Sequence, residues 1–303
     1  MPGPRIALVT RRPQPEHDRD LPVLARALGE AGAEVGIVGW DDPGVDWAGF
    51  DLAMIRSTWD YTWRAEEYVA WAERCARLTR LANPADVVRW NTDKRYLGEL
   101  AAAGVPTVPT AYRAPGDGDE LPPTDREFVV KPTSGAGARY AARYGADERD
   151  AARAHLARLH EEGLTAMVQP YMRHIDITGE RALVFVGGQF LHAIRKGAVL
   201  APGIAYDADK VSHPDPRPWR PTDAELDVAE RALAAIPGSP ELLYARVDLV
   251  DGGAGGAGDA GDGGERGGGP RVMELELVEP NLFLRFHPDS LSRVTEVILK
   301  AAQ

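Results

Sequence analysis

Along the chain, short runs of consecutive apolar residues alternate with longer stretches in which apolar residues recur every three or four positions. RIALVT (5–10), AEVGIVGW (33–40) and FDLAMIRST (50–58) are runs of the first kind. Such runs predict strands covered on both faces, as in a parallel sheet. DLPVLARALGEAG (20–32) and RAEEYVAWAERCARLTRL (64–81) have helical spacing, and a glycine ends the first. This strand–helix alternation over the first 85 residues or so predicts a small open parallel sheet.

The pattern then changes. NTDKRYLGELAAAGVPTVPT (91–110) reads as a helix stopped by glycine, followed by a proline-punctuated extended segment and a loop over 111–125. REFVVKPTS (126–134) and LTAMVQPYM (164–172) read as strands, with a charged helix at 147–163 between them. ERALVFVGGQFLHAIRKGAVL (180–200) reads as a hairpin turning at GGQ. Residues 222–236 have helical spacing, and 242–250 and 271–280 read as two more strands. Eleven of the eighteen residues at 252–269 are glycine. That segment lacks the apolar surface to offset its ordering entropy, so it is expected to be a disordered hairpin insertion, with a working lid as the alternative. The expected division is an N-terminal α/β domain over 1–90, a small lobe over 91–171 and a C-terminal lobe over 172–303.

Composition narrows the partners. The chain has 303 residues and a formal net charge of −11, which argues against nucleic acid, whose phosphates need a basic surface. No apolar stretch approaches the ~20 residues of a membrane span, and MPGPRIALVT does not read as a signal peptide. The single cysteine, Cys75, sits in a helical pattern and reads as a buried structural thiol. A cytoplasmic location is the expectation.

Two constellations carry chemistry. In FVVKPTSGAGARY (128–140) a strand ends in Lys131, and a proline and a loop with Ser134, Gly135 and Gly137 follow. The spacing is neither that of the P-loop nor that of the dinucleotide-binding turn. A lysine fixed on a strand before free glycine N–H groups suits an anion, and a surface turn with a solvated lysine suits the motif equally well. In VEPNLFL (278–284), Glu279 and Asn281 are two apart and share one face of an extended segment. Asp248 and Arg246 share a face of the preceding strand. Hard oxygens of this kind suit Mg²⁺, with a solvated charged sheet face as the alternative. RSTWDY follows the third strand directly, where ligands of open parallel sheets sit, so Arg56, Ser57, Thr58, Trp59 and Tyr61 are substrate-end candidates, against packing of the aromatics between domains. His174, His192 and His287 show no metal spacing, and His192 is a minor substrate-site candidate.

The order Lys94, Lys131 before a glycine loop, VQPYM (168–172), GER (179–181), RVD (246–248) and ExN (279–281) resembles the ATP-grasp superfamily, to which glutathione synthetase and D-alanine–D-alanine ligase belong. RSTWDY (56–61), NPADVVRWNTDKRYL (83–97), FLHAIRKGA (190–198) and MELELVEPNLFLR (273–285) resemble more closely the O-ureido-serine cyclo-ligases of cycloserine biosynthesis. The resemblance implies an α/β ATP-grasp fold, ATP and Mg²⁺ as cofactors, and a small carboxylate substrate, with a homodimer as the candidate assembly. It implies Lys94 and Lys131 on the phosphates under the Ser134–Gly137 flap. Gln169, Pro170, Tyr171 and Met172 would meet adenine, and Glu180 the ribose, with Asp176 as its rival. Asp248, Glu279 and Asn281 would hold the metal, with Arg246 on the transferred phosphoryl group. Arg181, with Arg195 or Lys196, would face phosphate or substrate carboxylate, and Arg285 the substrate. The implied reaction activates a carboxylate as an acyl phosphate, which a nitrogen then attacks. The nitrogen belongs to the same molecule in the cyclo-ligase reading. The alternatives are an intermolecular amino-acid or peptide ligase and a non-catalytic ATP-binding protein. LFLR after Asn281 departs from the small-residue and proline run usual in the superfamily, as does the glycine insertion.

Overall fold

A computed structural model of the chain describes residues 3–14, 18–204, 214–252 and 268–303. Three sheets organise it. The first contains β1 (Arg5–Thr10), β2 (Glu34–Gly39), β3 (Leu52–Ser57) and β4 (Arg80–Ala82), all parallel, in the order β2-β1-β3-β4. Both its faces are covered, which is why its strands read as apolar runs. Ile6, Leu8, Leu52 and Met54 pack beneath α1 (Asp20–Glu30) and the C-terminal helix. Ala7, Val9, Ala53 and Ile55 pack beneath α2 (Ala65–Ala76) and α3 (Ala85–Asn91). Cys75 is buried in that second layer.

The 64–81 pattern is therefore two elements, since α2 ends at Ala76 and β4 begins at Arg80. The 91–110 pattern is also revised. Asn91 closes α3, and α4 (Tyr96–Ala102) starts after a turn and stops before Gly104, whose φ is +81°. Lys94 lies in that turn, so its side chain leaves from between two helices.

A four-stranded sheet follows, with β5 (Ala111–Arg113), β6 (Phe128–Pro132), β7 (Ala142–Tyr144) and β8 (Ala166–Pro170) in the order β5-β8-β6-β7. Strand β5 falls in the stretch expected to be loop. Phe128, Val130, Ala142 and Val168 bury one face against α5 (Arg149–Glu161). Alternation then puts Val129, Lys131 and Gln169 on the other face, toward the cleft.

The third sheet contains β9 (Glu180–Val186), β10 (Gln189–Lys196), β11 (Arg217–Trp219), β12 (Tyr244–Asp251) and β13 (Pro270–Glu276), antiparallel, in the order β11-β10-β9-β12-β13. The short helix α6 (Ile175–Thr178) precedes it. The β9–β10 turn is Gly187–Gly188, with φ of 58° and 75°, as a tight hairpin of right-twisted strands requires. Odd-numbered residues such as Leu183, Ala193, Val247 and Leu275 pack on α7 (Asp223–Ala234), which begins with a Thr222–Glu225 capping box. The even-numbered positions 180, 196, 246, 248, 274 and 276 face the cleft. Strands β12 and β13 are joined across the glycine-rich stretch, and the Gly252 N–H donates to the Gly269 carbonyl at 2.9 Å. Residues 253–267, expected as the disordered insertion or lid, lie outside the described residues. Helix α8 (Ser290–Ala301) closes the chain against the first sheet. Among the described residues no helix is long and apolar enough to cross a membrane.

Candidate active site

A cleft of about 510 Å³ opens between the second and third sheets, bounded at one end by the first. Its roof is the small-lobe sheet and the loop after it. Lys131 projects from β6 and has no hydrogen-bond partner among the described residues. Burial, with the like charge of Lys94, holds its ammonium below its ordinary value against the pull of Glu274. Lys94 is anchored instead. Its Nζ donates to the Gly135 carbonyl at 2.5 Å and lies 3.1 Å from Glu274 Oε1. The glycine loop is thus tied down at Gly135. Past it, Ala138 and Tyr140 have left-handed φ of 58° and 54°. These bends present Arg139 to the first sheet's side, where its guanidinium lies 3.3 Å from the centre of the Trp63 ring and Nη1 donates to Thr62 Oγ1 at 2.9 Å.

Gln169, Pro170, Tyr171 and Met172 line the cleft edge along β8 and the residues after it. Gln169 Nε2 donates to Thr110 Oγ1 at 2.8 Å. Arg143 sits 3.5 Å over the Tyr171 ring, and the Tyr171 hydroxyl donates to Asp176 Oδ1 at 2.5 Å.

The floor is a saturated ionic network. Arg246 donates to both oxygens of Asp248 at 2.8 Å and pairs with Glu276, its cross-strand neighbour on β13. Lys196 Nζ reaches Asp248 Oδ2 at 2.7 Å and Glu180 Oε1 at 2.5 Å. Burial would raise the Asp248 carboxyl, yet Arg246 and Lys196 hold it far below the carboxylate range. Glu180 goes the other way: burial drives it well up, and the neighbouring Asp248 adds to the rise that Lys196 opposes. Burial would also lower Lys196, which Asp248 and Glu180 keep above its ordinary value. Two acids and a lysine thus form one coupled, nearly buried charge cluster at the cleft floor.

Glu279 and Asn281 line the cleft just beyond β13. Asn281 Oδ1 accepts the Phe283 N–H at 2.9 Å, and its backbone carbonyl accepts from Arg246 Nη1 at 3.3 Å. An amide oxygen has a second lone pair, so a cation remains within its capacity. Among the described residues no three His, Cys, Asp or Glu side chains stand at metal-binding spacing. The donors themselves, carboxylates and one amide oxygen, are of the hard type Mg²⁺ takes. Asp248 accepts one hydrogen bond at Oδ1 and two at Oδ2, which leaves Oδ1 a lone pair for a cation.

Several expected residues lie elsewhere. Arg181 and Arg195 are cross-strand partners on odd positions, and alternation turns both away from the cleft. Arg181 is bound by Glu225 at 2.7 Å and by Asp251, and Arg195 donates to the carbonyls of Thr178 and Ile177. Of the pair Arg195 and Lys196, only Lys196 faces the cleft. Asp176 is taken up by Tyr171 and Arg143, outside the cleft lining. Ser134 is turned to a small pocket behind the glycine loop with Arg139 and Trp63. Arg56, Ser57 and Thr58 are fully buried. Ser57 bonds Thr10 and Thr58 bonds Tyr68, while Arg56 Nε and Nη1 have no hydrogen-bond partner among the described residues. Trp59, Tyr61 and Arg285 do line the cleft, with Tyr61 stacked on Tyr68 at 5.0 Å. His192 is buried, bonded to Ser290 and the Leu282 carbonyl, and stacked on His287. His174 is outside the cleft lining, preceding α6.

Sequence reading missed Glu274 and Glu276. Their signal was available: both alternate with Leu275 on the strand opposite Arg246 and Asp248.

Residues 6–83 match the family described as D-cycloserine synthetase DcsG, N-terminal domain. The cycloserine biosynthesis protein DcsG of Streptomyces lavendulae is 37% identical over 310 residues, covering 97% of each chain. The chain belongs to the DcsG family. The crystal structure of D-cycloserine synthetase DcsG superposes with a TM-score of 0.86 at 35% identity, covering 99% of this chain and 100% of that one. D-alanine–D-alanine ligase from Bacillus anthracis, in complex with ATP, shares the fold alone, with a TM-score of 0.62 at 16% identity over 99% and 97% of the two chains. The DcsG-family chain therefore has the ATP-grasp fold expected from its motifs.

Proposed function

We propose that the protein is an ATP-dependent carbon–nitrogen ligase that closes O-ureido-D-serine to D-cycloserine. The observation that carries this reading is the 37% identity to a cycloserine biosynthesis protein along 97% of the chain. The cleft chemistry supports it, because two lysines face an acid–amide pair and an arginine across one space.

In this reading ATP lies between the lobes. Its adenine meets Gln169–Met172, and its phosphates meet Lys94 and Lys131 beneath Gly135 and Gly137. Glu180, which lines the cleft, is the ribose candidate, since its rival Asp176 lies outside the lining. Asp248, Glu279 and Asn281 would hold Mg²⁺, which when bound supplies charge neutralisation on the phosphates. Arg246 stabilises the transferred phosphoryl group, a task of positioning and charge. Lys196 holds Asp248 and Glu180 in place, and Arg285 is the candidate for the substrate carboxylate.

The substrate carboxylate attacks the γ-phosphorus, and ADP leaves. The ureido nitrogen bonded to oxygen then attacks the acyl carbon. A C–N bond forms, the C–O bond to phosphate breaks, phosphate leaves with the electron pair, and the nitrogen's proton passes to solvent. Water then hydrolyses the carbamoyl group from the ring nitrogen, releasing ammonia and carbon dioxide. Both reacting groups belong to one molecule, so the protein's part is activation and folding of the substrate.

The test is ADP release with O-ureido-D-serine set against a panel of free amino acids and their pairs. ADP and ring product with the ureido compound are expected. ADP only with an amino-acid pair would replace this reading with an intermolecular ligase, and no ADP with any of them would favour a binding protein.

A further inference from the structure

Phe283 occupies a backbone conformation that phenylalanine rarely takes, with φ 55° and ψ 33°. A side chain with a Cβ is strained there by ~1–2 kcal/mol, and such strain persists only where the surroundings impose it. The surroundings do so from both sides. Asn281 Oδ1 accepts the Phe283 N–H at 2.9 Å, and Asp20 Oδ1, from the start of α1, accepts the Leu284 N–H at 3.0 Å. Leu284 itself is 2% exposed in the core. The pinned bend sets the Phe283 ring at the cleft wall, with its centre 5.4 Å from the Arg246 guanidinium carbon. Trp59 and Tyr61 line the same cleft. An apolar ring thus stands beside the arginine proposed to meet the transferred phosphoryl group, next to two metal-ligand candidates. This is the segment where the chain departs from the small-residue and proline run usual in the superfamily.

We propose that Phe283 is the specificity-determining residue that confines the reaction to one molecule. Its ring fills the space beside Arg246 that a separate amine or water would need to reach the acyl phosphate. The activated carboxyl is then met only by a nitrogen of the same substrate. This inference rests on the cyclo-ligase reading above.

The test uses full-length protein, O-ureido-D-serine, ATP and hydroxylamine as a small external nucleophile. Phe283→Gly removes the ring and accepts the left-handed φ without strain, and Phe283→Tyr keeps the ring. Wild type and Phe283→Tyr should give one ring product per ADP and no hydroxamate. Phe283→Gly should still release ADP, with the ring product per ADP falling at least about twofold and hydroxamate, or free substrate from hydrolysis, making up the difference. Tight coupling without hydroxamate in Phe283→Gly would overturn the proposal. So would hydroxamate formed equally by wild type. Loss of ADP release in a folded Phe283→Gly would also overturn it, assigning the ring to the positioning of Arg246. Wild type that releases no ADP with the ureido substrate would instead sink the cyclo-ligase reading itself.

Discussion

The roof and the floor of the cleft solve the problem of buried charge in opposite ways. On the floor every charged group is matched: Asp248 has Arg246 and Lys196, Arg246 also has Glu276, and Lys196 also has Glu180. In the roof Lys131 stands without a hydrogen-bond partner among the described residues, with its ammonium destabilised by burial and by Lys94. A matched network needs no further ion to be stable. An unmatched lysine is a standing demand for an anion. The floor is therefore both structure and proposed chemistry, whereas the roof lysine is proposed chemistry alone.

The sharpest way to break this contrast is a pair of substitutions. Asp248→Asn leaves Arg246 and Lys196 facing too little negative charge. It is expected to cost about 3–5 kcal/mol of stability and to abolish ADP formation, measured by denaturant unfolding and ADP release. An Asp248→Asn protein as stable as wild type would show that the floor is not a structural network. Lys131→Met is expected to lower turnover by about 10²–10³-fold while leaving stability unchanged or slightly higher. Full activity in Lys131→Met would remove its proposed phosphate role.

The next expectation sharpens the roof. The contact of Arg139 with Trp63 and Thr62 ties the glycine loop to the first sheet's side. Arg139→Ala should raise the KM for ATP several-fold, with kcat lowered less, since a tether on a loop affects closure more than charge placement. An unchanged KM would mean that the anchor from Lys94 to Gly135 suffices.

A pH dependence is common to the two halves. Burial holds His155, under the roof sheet, and His192, beside the floor, each down at about 4. Unfolded histidine titrates near 6.5. As pH falls from 6.5 toward 4, the unfolded chain takes up protons that the folded chain refuses, so stability falls across that window and is fully present above it. Unfolding free energies at pH 7.5 and 5.0 should show the loss, on the order of 1 kcal/mol per histidine per pH unit. His192→Gln should remove part of the slope. A slope unaffected by that change would place the acid sensitivity elsewhere.

Sequence made most of the strands legible, those of the first sheet as continuous apolar runs covered on both faces. Asp248 and Arg246 share the cleft-facing side as their spacing required, and Lys131 stands next to last on its strand, before Pro132. What was not legible depended on which face a strand would bury. Arg181 and Glu180 are adjacent, and only the packing of odd positions on α7 decides that Glu180 faces the cleft. Arg56 and Ser57 follow an apolar run that the parallel sheet continues to cover, so they are buried and do not reach the cleft lining. Strand β4 was absorbed into the helical pattern before it, because three residues are too few to declare a period. LFLR could be read as a departure from the family pattern, but the left-handed bend at Phe283 is held in part by the hydrogen bond between Asp20 and Leu284, 264 positions apart.

ATP activation of the substrate carboxylate is the step on which the proposed ring closure depends. That claim is tested most directly by supplying O-ureido-D-serine labelled with ¹⁸O in the carboxylate and analysing the phosphate released. Acyl phosphate formation predicts one ¹⁸O transferred to phosphate for each ring closed. Unlabelled phosphate accompanying labelled or unlabelled ring product would contradict it.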